Sequence, residues 1–505
     1  MKISIPRMST QAIRPLSLLM PLLFVLISIL ILIGTTWNAS PGLLDEHRIS
    51  HNEATHPVSD YWTLSYDKER MRPVYWTYYH FVFNTGGAYG WKFFIQTLFF
   101  IVTGCLIGAC ITSVTKNEVV GGGIAVLWLF QASAAENLFT LGKPEILLSF
   151  LIIASFLLAN RFVRNWNWVL LAGSLCLTGM AILTKETGVV ALVASFILVL
   201  GAGLKVTRQK MIAATCLHVL TGLIFVVLPR LLKPKEAAQY VTFEFSPRSV
   251  AYNLYAYLIN FPELALLAGV VVCLLIGQLK KNKLSAFPHS LICASSTLLA
   301  AVSYMVILAI WRWPGGYYLL PVSLLLLLSL GFCLTEPLKT SRNVMVLLIC
   351  LFVIFNIIGF VSVGYLQKQV VHLHNTMIEK AVKLSKPGDI IVLIAEDLSS
   401  EVLFETQLHV SNNLERSDLK IIPWKNNKHL ILKDGDIVID RSFENSFIRH
   451  TRYMQEVSFS AVPIPGKLIS EQGFSFLNLN LGSKISKTTR VSYRITMVKE
   501  SGVFE

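Results

Sequence analysis

Long apolar runs constrain this chain most, because about 20 apolar residues suffice for a helix to cross a lipid bilayer. Only 15% of the 505 residues are charged, whereas soluble proteins average about 25%. The sequence therefore predicts a polytopic α-helical membrane protein with about eleven transmembrane helices. The runs lie at about residues 16–37, 91–114, 119–135, 145–160, 168–184, 187–204, 211–231, 264–279, 288–310, 318–335 and 342–363.

The first run has an alternative interpretation as a cleaved signal peptide, since basic residues precede it. A helix over residues 16–37 would be about 33 Å long, which exceeds the apolar part of a typical signal. No small-residue cleavage site follows cleanly. We therefore expect a retained first helix.

Basic residues sort onto alternate connections, and this pattern predicts the orientation. One set of short segments, which includes Lys116, Arg161, Arg164 and Lys205, holds 14 Lys and Arg against two Glu. Such an excess is typical of cytoplasmic loops. The net charge of +14 thus indicates loop charges rather than nucleic-acid binding. With eleven spans, the N-terminus is predicted inside the cytoplasm and the region after Tyr365 outside.

The C-terminal part has a different composition from the rest. Residues 386–389 form a predicted turn, and the run Ile390–Ile394 reads as a buried strand. A helix near 398–408 and strands near 418–423, 429–433 and 436–440 are predicted to follow. We expect two domains, a membrane domain over 1–365 and an extramembrane α/β domain over 366–505. All eight Cys fall in apolar segments, so no disulfide framework is predicted.

The loops on the predicted outer side contain the acidic residues that are candidates for catalysis. A loop over 38–90 contains Asp45 and Glu46 just after the first apolar run, and its aromatic stretch 74–81 is predicted to lie in the membrane interface. Charged residues also lie between two apolar runs that almost no loop separates, as at Lys185-Glu186. Ionisable groups are costly there unless they are paired or used, so these positions are candidates for function.

Five of these segments together resemble the GT-C glycosyltransferases, especially the protein O-mannosyltransferases and bacterial relatives that use polyprenyl-phosphate sugars. The resemblance covers about residues 16–360 and departs from the family in its last segment, where the basic residue is displaced to Arg312. The segments are Asp45-Glu46-His47, Arg72-Pro73-Val74, Gly142 to Leu147, Leu183 to Gly188, and Gly316 to Pro321.

The resemblance implies transfer of a sugar from a polyprenyl-phosphate donor to a lipid, glycan or protein acceptor. Asp45 is the implied general base of an inverting reaction, and Glu46 is given a positioning role. A lipid phosphate as leaving group calls for cations near the outer helix ends. The candidates for binding the substrate or the lipid phosphate are Arg72, Lys143, Glu145, Lys185, Glu186, Arg230, Arg248, Arg312 and Tyr317.

Each of these residues also has a purely structural interpretation. Asp45 and Glu46 can be loop charges that face water, and any single Lys or Arg can be an anchor that reaches the lipid headgroups. Glu145 follows Pro144 and suits the first turn of a helix, although contact with the acceptor or a divalent metal is the alternative. His47 and His51 are more typical of a loop than of a metal site, and no cofactor is predicted.

Two other functional classes stay open at this level. A transporter or flippase of lipid-linked glycan would need charges within its spans and internal repeats, and neither is evident. A non-catalytic scaffold would make Asp45 and Glu46 dispensable. The expected location is a bacterial inner membrane, with the active site and the C-terminal domain outside the cytoplasm.

Overall fold

The computed structural model of this chain consists mainly of long helices, followed by strands in the C-terminal quarter. All structural statements below concern the residues that it describes. These are 10–37, 39, 49, 56–63, 72–84, 89–203, 207–227, 246–281, 288–310, 316–334, 342–394, 400–423, 430–440, 454–464, 489–498 and 502–504.

Sixteen α-helices are described in these ranges. They are α1 (Thr10–Thr36), α2 (Val58–Tyr61), α3 (Pro73–Asn84), α4 (Tyr89–Thr115), α5 (Glu118–Leu129), α6 (Ala132–Phe139), α7 (Glu145–Asn165), α8 (Trp168–Thr184), α9 (Val189–Gly203), α10 (Arg208–Gly222), α11 (Pro247–Asn260), α12 (Pro262–Lys281), α13 (His289–Ala309), α14 (Leu320–Cys333), α15 (Arg342–Leu384) and α16 (Ser400–Leu408).

Seven described helices are long and apolar enough to cross a membrane, and an eighth span results if the bent pair α5 and α6 counts as one. Three shorter apolar helices cover Trp168–Thr184, Glu186–Ala202 and Leu351–Val361. The chain is thus an integral membrane protein, as its composition predicted. The count of eleven spans is not confirmed by these residues and stays a prediction.

Tight, capped turns join the helices at the end of the bundle that the sequence assigned to the cytoplasm. Asn117 accepts backbone N–H groups of Val119 and Val120 and so caps α5. Asn167 caps α8 in the same way through Val169. Arg164 donates to the carbonyl of Ser113 at 3.0 Å, which ties the end of α7 to α4.

The core of the bundle is centred on α14, whose fourteen residues are all buried. Neighbouring helices pack apolar side chains around it in one large cluster. Helices such as α10 instead expose Leu217, Val219 and Leu220. In a membrane these residues would face lipid, where an apolar surface is favourable.

A break between α5 and α6 bends the chain by 54°. Backbone groups freed at such a break need partners in a membrane, where water is scarce. Asn356 of α15 supplies one, because its Oδ1 accepts the N–H of Ala132 at 3.0 Å. Ser133 and Ser323 share a hydrogen bond of 3.0 Å, which holds α6 against α14. The break is therefore a stabilised feature.

The C-terminal part contains seven strands: β1 (Ile390–Ile394), β2 (Lys420–Pro423), β3 (Leu430–Leu432), β4 (Ile437–Asp440), β5 (Met454–Ile464), β6 (Thr489–Val498) and β7 (Gly502–Phe504). A five-stranded sheet has the order β2-β1-β4-β6-β5. Strand β1 pairs in parallel with β2 and β4, whereas β6 is antiparallel to β4 and β5. Strands β3 and β7 form a separate antiparallel pair.

Helix α15 links the bundle to this sheet without a break at residue 365. Its last turns place Met377, Ile378 and Ala381 in a cluster with Ile391 and Ile437 of the sheet. Hydrophobic burial thus fixes the end of the helix against β1 and β4. A division into domains at 365/366 would fall inside a helix, and it stays a proposal.

Candidate functional site

Four of the five segments quoted above contribute described residues to one cluster. Arg72 precedes α3, Glu145 begins α7, the Lys185-Glu186 pair joins α8 to α9, and Tyr317 lies in a 3-10 turn before α14. These positions span almost 250 residues of sequence. The contacts described next show that their side chains meet.

The centre of the cluster is a buried ion pair between Lys185 Nζ and Glu145 Oε1. The two side chains are only 2% and 0% exposed. The second carboxylate oxygen of Glu145 is buried with no hydrogen-bond partner among the described residues. Losing either partner would leave a buried charge, which is strongly destabilising. The pair therefore locks the start of α7 to the junction between α8 and α9.

Burial also changes the acid–base behaviour of Lys185, which lies in the connection between α8 and α9. Loss of hydration lowers the pKa of Lys185 to about 8, while the Glu145 carboxylate opposes this shift. The ammonium stays protonated at neutral pH, within about one pH unit of titrating. This cation is accordingly sensitive to mildly alkaline conditions.

A second ion pair lies nearer the surface of the cluster. Arg72 Nη2 donates to Glu186 Oε2 at 3.1 Å, and the side chains are 15% and 33% exposed. Lys185 donates a hydrogen bond to Glu145, and the charge of its neighbour Glu186 also acts on it electrostatically. The backbone of Lys185 is extended, with φ −158° and ψ 141°, and successive side chains of extended backbone point to opposite sides.

Two adjacent tyrosines form the aromatic wall of the cluster. The ring centroids of Tyr317 and Tyr318 lie 4.0 Å apart. Lys143 Nζ lies 4.4 Å from the Tyr317 centroid, and Lys185 Nζ lies 3.9 Å from that of Tyr318. An ammonium over an aromatic face is held by the ring's quadrupole, so each ring fixes one lysine.

Helix α3 provides the frame for the loop before α7. The hydroxyl of Tyr75 donates to the carbonyl of Gly142 at 2.8 Å, and that of Tyr79 to the carbonyl of Lys143 at 3.0 Å. Gly142 has a φ of 84°, a conformation that favours glycine. These contacts position Lys143.

Because seven residues of α3 are buried, the aromatic stretch packs against protein on much of its surface.

Gly188 allows the chain after Lys185 to turn back closely onto helix α8. A Cβ at this position would lie 2.3 Å from the backbone carbonyl of Ala181. The turn after α8 therefore folds back directly onto that helix, and this close approach requires a glycine.

Several residues of the cluster were missed by the sequence reasoning. Asn137 donates to the carbonyl of Tyr317 at 3.0 Å, and Glu136 lies within electrostatic range of Lys143 and Glu145. Both belong to α6, beyond the bend. Tyr75 and Tyr79 were noted only as an interfacial stretch, although their spacing of four places them on one helical face.

Arg248 is the one remaining candidate among the described residues. Arg248 is exposed in the first turn of α11, and no described contact joins it to the others. Asp45, Glu46, Arg230 and Arg312 lie outside the described residues, as do His47 and His51. Their roles stay predictions.

The formal charges of the cluster balance among the described residues. Three cations face three carboxylates, which include Glu136. Within the described part of the chain, no three His, Cys, Asp or Glu side chains are grouped so as to hold a metal ion. The arrangement can bind an anion if one of its carboxylates gives way, and its tyrosines offer hydroxyl groups and flat apolar faces.

Several solved structures are similar to this chain. The crystal structure of ArnT from Cupriavidus metallidurans bound to undecaprenyl phosphate is similar, with a TM-score of 0.49 and 14% sequence identity. The similarity covers 94% of this chain and 97% of that chain. No family model matches, and no curated protein does.

Proposed function

We propose that this chain is a GT-C-type glycosyltransferase of the membrane, which transfers a sugar from a polyprenyl phosphate to an acceptor hydroxyl. The observation that carries the proposal is the meeting of Arg72, Lys143, Glu145, Lys185 and Tyr317 in one ionisable cluster whose centre is buried. Buried charges are rare and costly in a membrane protein and usually mark a functional site. The motifs that resemble this superfamily predicted the same residues.

The proposed reaction is a single displacement at the anomeric carbon. The acceptor oxygen forms the new bond to that carbon, and the bond from the carbon to the phosphate oxygen breaks. The polyprenyl phosphate leaves with the electron pair, and the acceptor proton passes to Asp45. Attack opposite the leaving group inverts the anomeric configuration. A positioned base of this kind contributes roughly 10²–10⁴ in rate.

The described cations divide into two roles in this proposal. Lys185 is buried in contact with Glu145 and Tyr318, so its role is to stabilise the packing at the base of the site. Arg72 and Lys143 are the cations that meet the lipid phosphate, since Arg72 is partly exposed and Lys143 lies over the aromatic ring of Tyr317. Positive charge near the leaving oxygen stabilises the transition state more than the ground state.

The proposal also includes the location of the chemistry. We place the cluster, the loop 38–90 and residues 366–505 outside the cytoplasm, in a bacterial inner membrane. The charge asymmetry of the loops supports this orientation. The acceptor is a lipid, a glycan or a protein.

A direct test uses the purified protein in nanodiscs with a panel of polyprenyl-phosphate sugars that carry a radiolabel in the sugar. We expect one donor to lose its sugar to an acceptor, with release of polyprenyl phosphate. An Asp45→Asn variant at equal protein level serves as the control and should be nearly inactive. Intact donors throughout the panel, with acceptors from all three classes present, would count against a transferase.

One observation favours a second candidate, a flippase of lipid-linked sugars. The bend of 54° between α5 and α6 is the kind of broken span that transporters use. Transporter sites, however, combine two such breaks near the middle of the membrane, and this cluster gathers at helix ends. The same labelled donors distinguish the two, because a flippase moves the donor across the membrane with its sugar–phosphate bond intact.

A further inference from the structure

The two ion pairs of the cluster differ sharply in their access to solvent. Lys185 and Glu145 are 2% and 0% exposed, whereas Arg72 and Glu186 are 15% and 33% exposed. A buried pair resists opening because each separated charge would remain without hydration. A partly exposed pair opens more easily than a buried one, since water solvates both charges once they part. Of these two described pairs, the outer one can therefore exchange partners at the smaller cost.

Among the described residues, the carboxylates of the cluster compete with an incoming anion for its cations. Arg72, Lys143 and Lys185 are opposed by Glu136, Glu145 and Glu186. Since Glu145 is sealed against Lys185, Glu186 is the carboxylate best able to move into water.

We propose that the Arg72–Glu186 pair is a latch, in which the phosphate monoester of a polyprenyl lipid replaces Glu186 on the Arg72 guanidinium. This inference rests on the proposed function and adds to it the residue that competes with the donor. A guanidinium presents several N–H groups in one plane and binds phosphate oxygens in a two-point manner. Glu186 turns towards water as the phosphate arrives.

The neighbours of the pair fit this exchange. Arg72 and Lys143 both lie within electrostatic range of the Tyr318 hydroxyl, so an anion held by Arg72 is also near a second cation. Glu186 begins the short turn Glu186–Gly188. Its side chain can change rotamer there without disturbing the buried turn behind it, where Thr187 is 1% exposed.

The latch makes an unusual prediction, namely that removing a charged residue of the site strengthens binding. Glu186→Gln should bind undecaprenyl phosphate roughly twofold to fivefold more tightly, the range expected for loss of an exposed competing ion pair. Arg72→Gln should bind it at least about tenfold more weakly, because a charge-assisted hydrogen bond is lost. In the Arg72→Gln background, Glu186→Gln should produce no gain, since the competition is already absent.

The measurement is equilibrium binding to the full-length protein in detergent by thermophoresis, with undecaprenyl phosphate as the probe. Undecaprenol and inorganic phosphate are the comparison ligands, and we expect both to bind much more weakly than the phosphorylated lipid. Asp418→Asn is the matched control, because Asp418 also pairs with an arginine, Arg416, at 2.8 Å. That pair lies in the C-terminal region, so the control should bind like the wild type.

The outcomes separate the latch from the proposed function. If the wild type binds the lipid phosphate but Glu186→Gln binds it equally or more weakly, Glu186 only orients Arg72 and the latch is wrong. A gain in Glu186→Gln that persists in the Arg72→Gln background also overturns the exchange, since the effect would then be one of net charge. If undecaprenyl phosphate binds the wild type no better than undecaprenol or inorganic phosphate does, the proposed donor class itself is wrong.

Discussion

Lys368 reaches from the long helix α15 to the end of the first helix and donates to the carbonyl of Gly34 at 3.1 Å. Its Nζ also contacts the carbonyl of Trp37. Terminal carbonyls of a helix lack partners within the helix, and a lysine can satisfy them. Nearby, Thr35 and Thr97 share a hydrogen bond of 2.9 Å. The point at which the chain leaves α1 for the acidic loop is therefore held from two sides.

We predict that Lys368→Met lowers turnover by about tenfold or more, since small displacements of a catalytic group have large effects on rate. Donor affinity should change little, because the lipid-phosphate cations lie elsewhere in the chain. Lys380→Met, an exposed position on the same helix, is the control and should match the wild type. Steady-state kinetics in nanodiscs would measure both, and a change confined to donor affinity would contradict the positioning role.

Acid–base titration of Lys185 should set an alkaline limit to activity. The pKa of Lys185 is lowered to about 8 by burial, so raising the pH through this value removes the positive charge and leaves Glu145 without its partner. Activity should fall above about pH 8. Arginine remains charged to much higher pH, so the falling limb of the pH profile should move upward in Lys185→Arg. An unchanged limb in that variant would assign it to another group.

The close packing of Gly188 predicts a large effect of a single methyl group. Gly188→Ala would place a Cβ 2.3 Å from backbone atoms of Ala181, and forced overpacking costs about 1–3 kcal/mol. We expect a lower melting temperature in detergent. Gly269→Ala is the matched control, since a Cβ there meets nothing within 4 Å and alanine favours a helix by about 1 kcal/mol. Equal melting temperatures for the two variants would refute the packing argument.

Asp45→Asn should separate binding from chemistry. The amide keeps the size and hydrogen-bonding reach of the side chain but cannot accept the proton of the acceptor. Turnover should fall by roughly two to four orders of magnitude with donor affinity preserved. Glu46→Gln should have a milder effect. Near wild-type turnover for Asp45→Asn would show that this residue is not the base.

The orientation of the chain can be tested without any activity. With eleven spans and a cytoplasmic N-terminus, a reporter fused after Glu505 that works only in the cytoplasm should be silent. A fusion in the basic loop after Arg164 should be active in the same cells. A strong signal from the C-terminal fusion would reverse the proposed orientation.

Sequence reasoning found the membrane class and several members of the cluster for a clear physical reason. Lys143 and Lys185 stand out because apolar segments lie close on both sides, whereas Arg72 was found through the segment Arg72-Pro73-Val74. The partners could not be found in this way. Lys185 pairs with Glu145, forty residues earlier, and only packing of α7 against α8 brings them together. The contribution of α6 depends on a bend that the apolar run 119–135 conceals.

The C-terminal strands likewise include some that the sequence predicted and some that it did not. The buried run Ile390–Ile394 is strand β1, as its composition indicated. Strands β5 and β6, at Met454–Ile464 and Thr489–Val498, were not predicted. Both strands mix polar and apolar residues, and their pairing joins segments separated by 24 residues. Local periodicity gives little information about such distant pairing.

The unbroken course of α15 has a mechanical consequence. Its 43 residues give a length of about 65 Å, roughly twice the apolar thickness of a bilayer. Asn356 of this helix hydrogen-bonds the backbone at the bend before α6. Lys368 hydrogen-bonds the C-terminal end of α1. The last turns of the helix lie in the hydrophobic cluster that includes strands β1 and β4. One continuous helix therefore connects the membrane bundle to the sheet. A change in the tilt of the sheet must either bend this helix or strain the contacts of Asn356 and Lys368.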